Sequence, residues 1–161
     1  MIHLVPMNEI DYQAYADFSI ADYAQEHVKA GGWSAAEALQ EAKKQYQELL
    51  PDGLKTKNHY IYTIVDDELA SKVGILWFAV QERAQVPAAF VYDVLIYEAF
   101  RRRGYGEQAF KALETKVQEL GLKTISLHVF GHNHPARAMY EKLGYVTTNV
   151  MMSKTLGAQE N

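Results

Sequence analysis

Residues 101–106, Arg-Arg-Arg-Gly-Tyr-Gly, have the types and spacing of a site for a phosphate-bearing ligand. They follow the apolar run 90–96 and open a helical pattern over 105–120. Glycines let the backbone come close to a phosphate, the first amides of a helix lack intrahelical partners, and the helix dipole favours negative charge there. Because the motif lacks both the Walker sequence and the three-glycine spacing of a dinucleotide fold, it predicts a pyrophosphate ligand of another kind. Turn glycines with solvated arginines are the alternative.

A second group of polar side chains follows the next predicted strand along the chain. Asn133 lies at a strand-to-helix junction, where a side-chain amide can cap the helix or bind a ligand. Tyr140 comes seven residues later, two helical turns away, and therefore lies on the same helix face. Taken singly, Asn133 is more often a cap and Tyr140 more often a core aromatic.

Three histidines near the same place, His128, His132 and His134, suggest a metal site at a strand end. Their spacing matches no strong zinc pattern, and no acidic or thiol ligand is close in sequence. We therefore expect loop histidines and no bound metal.

The elements that must position these residues begin with two predicted helices. Asn8 is expected to cap a helix over 9–29, in which four apolar residues fall at helical spacing: Ile10, Ala14, Phe18 and Ala21. Ser34 and Glu37 form a capping box that predicts a second helix from residue 34 to about residue 50.

After residue 58 the hydrophobic period changes to two, which predicts strands. With the apolar start of the chain, the predicted strands are 2–5, 59–65, 73–80, 90–96, 124–129 and 146–154. Helices are predicted over 105–120, ending at Gly121, and over 135–143. After the first strand the order is two helices and then β-β-β-α-β-α-β, which predicts one mixed α/β sheet.

Length and composition indicate one ordinary globular domain over 1–156, with residues 157–161 expected to fray. The chain is 48% apolar and 22% charged, and it has no cysteine. It therefore has no disulfide, thiolate metal site or thiol nucleophile, which suits a cytoplasmic protein. No basic N-terminal flank or long apolar run suggests a signal peptide or a membrane helix, so no membrane partner is expected.

Charge is unevenly distributed along the chain. Residues 1–57 have nine acidic and five basic side chains, whereas residues 58–161 have eleven of each. No broad basic face is expected, which argues against a nucleic-acid partner. The acidic N-terminal third favours a cationic substrate, with a solvated helix surface as the alternative.

Two motifs carry a family resemblance: Arg101-x-x-Gly104-x-Gly106 and Asn133…Tyr140…Gly144-Tyr145. Together they resemble the GNAT superfamily of acetyl-CoA-dependent N-acetyltransferases, over about 59–155 and most specifically over 90–145. The stretches 30–33 and 49–54 are also similar to a group of small bacilli-type acetyltransferases. The resemblance implies a GNAT fold, with a central, mostly antiparallel sheet, a splayed strand pair and flanking helices. Residues 1–57 would form a substrate-side region and 58–156 the acetyl-CoA-binding core.

The resemblance also implies where acetyl-CoA, the acyl donor, would bind. Its pyrophosphate would lie on the backbone amides of 102–107 at the helix start. A bulge would splay the strand at 94–96 from its neighbour, so that the pantetheine arm pairs with the freed backbone as a peptide adds to a sheet edge. The implied contacts are Val94, Leu95, Ile96, Arg101, Arg102, Arg103, Gly104, Tyr105, Gly106, Glu107 and Asn133.

For the reaction, we expect direct transfer of the acetyl group to a primary amine. A lysine-like amine has a pKa of ~10.4, so a base or a water path must accept its proton. The resemblance makes Tyr140 the general acid that protonates the departing sulfur. Relatives have a carboxylate where this chain has His128, which makes His128 the candidate base and a buried structural histidine the alternative. Glu98 is a second candidate base, and Asp93, Tyr97 or a water-mediated route stay open.

A second hypothesis is an acyl-CoA-binding regulatory or sensing domain without turnover. Such a domain shares the arginine–glycine loop and Asn133 but has no need of Tyr140, so the tyrosine favours catalysis. The acceptor stays open among polyamines, amino sugars, amino acids, peptide N-termini and protein lysines, with a cationic small molecule favoured by the acidic excess. Dimers are frequent in the superfamily, so a homodimer is compatible with the resemblance.

Overall fold

The computed structural model describes residues 1–157, which are arranged around a five-stranded sheet. The strands lie side by side in chain order: β1 Ile2–Pro6, β2 His59–Asp66, β3 Ser71–Arg83, β4 Val86–Ile96 and β5 Ile125–Leu127. The first four strands pair antiparallel, whereas β5 pairs parallel to β4. The predicted mixed α/β fold with a mostly antiparallel sheet is therefore confirmed.

The helices of the described residues are α1 Glu9–Lys29, α2 Ala38–Leu49, α3 Tyr105–Glu119 and α4 His134–Lys142, with two 3-10 turns at Gly53–Lys55 and Glu98–Phe100. The α1 helix begins as predicted, because the Asn8 side chain accepts a hydrogen bond from the Asp11 amide at 2.8 Å. Just beyond α3, Gly121 has the left-handed φ of 77° expected for a helix end. Among residues 1–157, no helix is both long and apolar enough to cross a membrane.

The helices cover the sheet on both faces. On one face, α3 packs the buried Phe110 against Leu76 and Phe78 of β3. On the other face, α1 packs Tyr15 against Trp77 of β3. Successive side chains of a strand point to opposite faces, so β3 contributes to both cores. The adjacent strand, β4, is the strand whose free end shapes the site.

The α1 helix buries a different face from the one its apolar residues mark. Ile10 is 84% and Phe18 is 54% exposed, whereas the buried residues are Tyr15, Ser19 and Ala24. Hydroxyl-bearing side chains can be buried here because they find hydrogen-bond partners across the layer. The inner face of α1 is therefore polar and aromatic.

The predicted capping box at the second helix is wrong. Helix α2 begins at Ala38, and Glu37 makes no side-chain cap. Instead, the Ser34 carbonyl accepts hydrogen bonds from the amides of Glu37 and Ala38, at 3.2 and 3.0 Å. A separate turn therefore occupies residues 34–37, and its backbone satisfies the amides that the Ser34 side chain was expected to cap.

Strands β3 and β4 extend beyond their predicted ends, because a two-residue turn at Ala84 and Gln85 joins them. Both residues have positive φ, 51° and 66°. Such turns normally contain Gly, Asn or Asp, so the sequence did not indicate this hairpin. In contrast, β5 has only three residues, fewer than the predicted 124–129, because its pairing with β4 ends at Leu127.

The predicted final strand over 146–154 is wrong. Residues 145–156 have no regular secondary structure, and Val146 and Met151 are 82% and 99% exposed. A strand needs a partner strand, and none of the described residues lies beside this segment in the sheet. Except for Gly157, the predicted frayed tail at 157–161 lies outside the described residues.

Candidate functional site

A gap opens between the two parallel strands of the sheet. β5 pairs with β4 only at three positions, the last being Val91 opposite Leu127, yet β4 continues to Ile96. At the start of the gap, Trp77 lies opposite Asp93 and the next pair is Phe78 with Val91, which leaves Tyr92 as an extra residue. This bulge bends β4 away from β5. The backbone of 92–96 is therefore free of strand partners on the β5 side.

A glycine of β3 lies against the other edge of this part of β4. A Cβ built on Gly74 of β3 would lie 2.1 Å from the carbonyl oxygen of Leu95. Any side chain at this position would collide with backbone, which cannot rotate away. Gly74 therefore lets β3 and β4 approach closely where β4 presents its free edge.

The arginine–glycine motif forms the turn that starts α3. Gly104 is the N-cap residue with a left-handed φ of 81°, and no side chain caps the helix. The Gly104 carbonyl accepts the first helical hydrogen bond, from the Gln108 amide at 3.2 Å. The amides of residues 105–107 precede that bond and have no partner within the helix. The loop therefore presents backbone donors at the positive end of the helix dipole.

Contacts with the sheet hold this turn in place. The Tyr105 hydroxyl donates a buried hydrogen bond to Asp66 Oδ2 at 2.6 Å. Asp66 also accepts bonds from two backbone amides, and the Tyr105 bond is the largest of the causes that lower the pKa of this carboxyl. Arg101 Nε donates to the Ile96 carbonyl at 2.9 Å, while the Arg103 guanidinium lies 5.7 Å from the Phe100 ring centre. The turn is thus anchored to β2 and β4.

The turn and α4 enclose a cleft of about 440 Å³ beside the end of β4. The cleft is lined by Ile96, Phe100, Arg101, Arg102, Gly104, Tyr105, Gly106, Glu107, Ala138, Met139 and Lys142. Most of the predicted binding residues therefore come together, whereas Arg103, Val94, Leu95 and Asn133 lie outside this lining. Sequence analysis missed the α4 side of the cleft, which only tertiary packing reveals. Lys142 joins that side to the loop through a 2.5 Å ion pair with Glu107.

Helix α4 carries the two residues of the second motif. Asn133 is its N-cap and accepts a hydrogen bond from the Ala136 amide at 3.3 Å, so its side-chain carbonyl serves as the cap that the sequence suggested. The Tyr140 ring packs edge-on against Phe110 at 5.5 Å between ring centres. Burial, followed by the charge of Asp93, raises the pKa of Tyr140. Tyr140 is therefore a protonated phenol at neutral pH, and near enough to Asp93 to sense its charge.

Asp93 is a carboxylate on the part of β4 that borders the gap. It lies directly after the bulge and accepts a hydrogen bond from the Tyr15 hydroxyl of α1 at 2.7 Å. Burial raises the pKa of Asp93 to about 6, against an opposing effect of the Tyr15 bond. Asp93 is the only charged residue in the apolar run 90–96, and this isolated charge is the feature of the sequence that indicates a functional residue. Its partner Tyr15 is far away in the chain and gave no such signal.

The two bases favoured from the sequence lie at more exposed positions. His128 follows β5, is exposed, and contacts Phe130 edge-on at 4.9 Å between ring centres. Glu98 is exposed at the start of the second 3-10 turn. Both stay predictions as bases.

The remaining histidines of the region make protein contacts. His132 Nε2 lies 2.6 Å from Glu26 Oε2 of α1, an ion pair when the imidazole is protonated. Within the described chain, no group of three or more His, Asp or Glu side chains is arranged to hold a metal ion. Nearby, His27 of α1 stacks on Trp33 at 4.0 Å, and Phe130 packs edge-on against His27 at 5.1 Å. Aromatic rings therefore connect α1 with the segment after β5.

Comparison with known proteins decides the family. The sequence pattern of the Acetyltransferase (GNAT) family matches residues 20–145. The chain belongs to the GNAT family. It is 38% identical over 155 residues to the uncharacterized N-acetyltransferase YycN of Bacillus subtilis, covering 96% of this chain and 99% of the relative. It is 33% identical over 153 residues to the uncharacterized N-acetyltransferase YdgE of the same organism, covering 95% and 97%.

Solved structures agree with this GNAT assignment. The crystal structure of YycN superposes with a TM-score of 0.92 at 37% identity, over 98% of this chain and 100% of the other. The structure of AAC(6′)-Iy in complex with the bisubstrate analogue CoA-S-monomethyl-acetylneamine has a TM-score of 0.61 at 12% identity, over 98% and 99%, which shows the fold alone. The protein is thus an acetyltransferase enzyme, as predicted, of a family that uses acetyl-CoA.

Proposed function

We propose that the protein transfers the acetyl group of acetyl-CoA directly to a primary amine of a cationic small molecule. The observation that carries this proposal is the gap between β4 and β5, which opens next to the arginine–glycine turn at the start of α3. A donor whose pantetheine arm joins a diphosphate to a thioester needs both features side by side. Family membership supplies the reaction class, and the site residues indicate which groups could bind the donor and move protons.

The residues present fit coenzyme A. The amides of 105–107 and the cationic side chains of Arg101 and Arg102 suit a diphosphate, because backbone donors and guanidinium groups both favour phosphate oxygens. The free backbone of 92–96 offers hydrogen-bonding groups to an extended chain of amides, as an open sheet edge does. When bound, acetyl-CoA supplies an activated thioester.

Asp93 is proposed to receive the proton of the acceptor amine. It lies on the α1 side of the sheet, and with a pKa of about 6 it is mostly ionised at neutral pH yet basic enough to hold a proton. The Tyr15 hydroxyl orients the carboxylate through its 2.7 Å hydrogen bond. His128 and Glu98 remain alternative bases. Substituting each of the three residues separately and comparing the losses of activity distinguishes them.

Tyr140 is proposed to protonate the thiolate that leaves. It packs with the α3 core, whereas Tyr15, the partner of Asp93, packs on the opposite face of the sheet. A phenol is a suitable donor, because the ordinary pKa of tyrosine, ~10, exceeds that of a thiol, ~8.5. Its raised pKa keeps the proton in place until the sulfur departs.

The acceptor is proposed to be cationic because acidic groups lie on the substrate side. Asp22 and Glu26 are on α1, and the pKa of Asp22 is raised by burial and by the charge of Glu26. The negative charge of Asp22 in turn adds to the raised pKa of Asp93. A second ammonium group on the acceptor would relieve this repulsion. AAC(6′)-Iy, a protein of the same fold, was solved with the bisubstrate analogue CoA-S-monomethyl-acetylneamine, which is in line with an amine as acceptor.

A panel of amines tests the proposal. Thiol release from acetyl-CoA is followed with diamines, polyamines, amino sugars, amino acids and lysine peptides, each matched with an uncharged amine of similar size. We expect turnover to be highest for acceptors with two or more cationic groups. Equal turnover of acceptors with and without a second cationic group would refute the proposal of a cationic acceptor. No turnover with any amine, despite tight binding of acetyl-CoA, would favour a sensing domain.

A further inference from the structure

Aromatic rings from four separate parts of the chain come together near Asp93. We call them the aromatic wall: Tyr23 of α1, Tyr46 of α2, Tyr92 of β4 and Phe130 after β5. All four residues are half-buried, so part of each side chain is open to solvent. None of them lines the cleft beside the turn that starts α3. The aromatic wall is therefore available to a molecule other than the acetyl donor.

Contacts bring the aromatic wall to the acceptor side of the gap. The Tyr23 ring meets His27 edge-on at 4.5 Å, and His27 meets Phe130 at 5.1 Å, both between ring centres. Tyr92 is the bulge residue directly before Asp93. Burial raises the pKa of Tyr92, and the nearby Tyr23 adds to this rise. Rings from α1 and from the bulged strand therefore lie within electrostatic reach of one another.

The polar groups of the aromatic wall already have protein partners. The Tyr23 hydroxyl donates a hydrogen bond to Gln45 Oε1 at 3.0 Å, and the Tyr92 hydroxyl accepts one from Gln81 Nε2 at 2.6 Å. The hydroxyl of the third tyrosine is hydrogen-bonded to Ser19. The aromatic wall therefore offers a ligand mainly ring surface, which suits methylene groups and cations better than hydroxyl groups.

Two carboxylates accompany the aromatic wall. Asp93 borders the gap, whereas Asp22 of α1 is exposed. Across the described part of the chain, no ion pair includes Asp22. Burial raises the pKa of Tyr46, and the charges of Asp93 and Asp22 both add to the rise. The aromatic wall thus lies within reach of one carboxylate at the gap and a second in solvent.

We propose that the acceptor is a linear aliphatic diamine or polyamine, with its reacting amine at Asp93, its methylene chain on the aromatic wall and its second ammonium at Asp22. The inference rests on the proposed acetyl transfer and narrows its acceptor. Ring faces attract cations, and an unpaired carboxylate attracts the far ammonium. An amino sugar would place hydroxyl groups against rings whose polar groups are occupied. The carboxylate of an amino acid would meet like charge.

Three acceptors of matched size or charge test this inference. We measure kcat/KM for diaminobutane, for butylamine, which lacks the second ammonium, and for a diamino sugar with the same charge as diaminobutane. One ion pair and one cation–π contact should favour diaminobutane by about 3–30-fold over butylamine. A diamino sugar that is preferred to diaminobutane overturns the inference but leaves a cationic acceptor in place. Equal values for diaminobutane and butylamine overturn both proposals.

Two substitutions locate the contacts through the ratio of kcat/KM for diaminobutane to that for butylamine, because a folding defect lowers both values equally. Asp22→Asn should lower this ratio by about 2–5-fold. Tyr23→Leu, which removes the ring and keeps apolar bulk, should also lower it by about 2–5-fold. Asp17→Asn and Phe18→Leu, at exposed residues of α1, are the matched controls and should leave the ratio unchanged. A ratio that neither Asp22→Asn nor Tyr23→Leu alters contradicts the inference.

Calorimetry measures binding without turnover. Diaminobutane is titrated into the protein with coenzyme A present, which has no acetyl group to transfer. We expect the natural chain to bind diaminobutane and Asp22→Asn to bind it about 2–5-fold more weakly. No binding to the natural chain overturns the inference, even if other amines are acetylated. Binding without acetylation once acetyl-CoA is supplied supports this site and refutes the proposed acetyl transfer to such an amine.

Discussion

Replacing Asp93 by asparagine should make the protein more stable at alkaline pH and much less active. The pKa of Asp93 rises from an ordinary 3.8 to about 6, chiefly through burial. At about 1.36 kcal/mol per pKa unit, ionising this carboxyl in the folded state costs roughly 3 kcal/mol relative to the unfolded chain. Asparagine removes the charge and keeps an oxygen that accepts the hydrogen bond of Tyr15.

The sign of the pH dependence follows from the raised pKa. A carboxyl whose folded pKa exceeds its unfolded pKa contributes stability below about pH 4, and that stability is lost as the pH rises through about 6. Asp93→Asn should therefore gain up to about 3 kcal/mol in free energy of unfolding at pH 8 and little at pH 4. Urea unfolding of both proteins at the two pH values measures this difference.

The same variant tests catalysis. If Asp93 accepts the amine proton, Asp93→Asn should lower kcat/KM by about 10²–10⁴-fold and abolish the acidic limb near pH 6. Tyr15→Phe removes the hydrogen bond that lowers the pKa of Asp93, so that limb should move to higher pH. Glu98→Gln and His128→Gln are matched controls with smaller expected losses. An Asp93→Asn enzyme with normal turnover and an unchanged pH profile would refute the catalytic assignment. If Asp93→Asn changed the free energy of unfolding equally at pH 4 and pH 8, the raised pKa of Asp93 would be refuted.

Two further substitutions test the geometry of the gap and the acid. Gly74→Ala places a Cβ 2.1 Å from the Leu95 carbonyl, so it should cost about 1–3 kcal/mol in urea unfolding and weaken donor binding in calorimetry. Gly131→Ala, where the new Cβ meets nothing within 4 Å, is the control, and equal stability of the two variants would contradict the close packing. Tyr140→Phe should lower kcat by about 10-fold or more with little change in the KM for acetyl-CoA. Unchanged turnover in steady-state assays would remove Tyr140 from the mechanism.

The glycine turn at the start of α3 could be predicted from the sequence because its causes are local. Glycine at 104 is needed for the left-handed φ, and the arginines and helix start follow directly in the chain. The first four strands and the cap at Asn8 were predicted for the same reason, since period and capping depend on neighbouring residues.

Features that depend on distant partners could not be predicted in the same way. The hydrogen bond between Tyr15 and Asp93 joins residues 78 positions apart, and only the packed fold shows that the carboxyl is held beside the gap. The two-residue turn at Ala84–Gln85 has none of the usual residues, so the strand context imposes it. Residues 146–154 have the pattern of a strand, but a strand also needs a partner strand, which the local sequence does not specify.

A crystal structure with coenzyme A bound tests the central claim most directly. We predict that the diphosphate contacts the backbone amides of residues 105–107, beside Arg102, and that the pantetheine arm lies along 92–96 in the gap between β4 and β5. The sulfur should then be within hydrogen-bonding reach of the Tyr140 hydroxyl. A coenzyme bound away from the turn, with the gap closed by protein, would contradict the account.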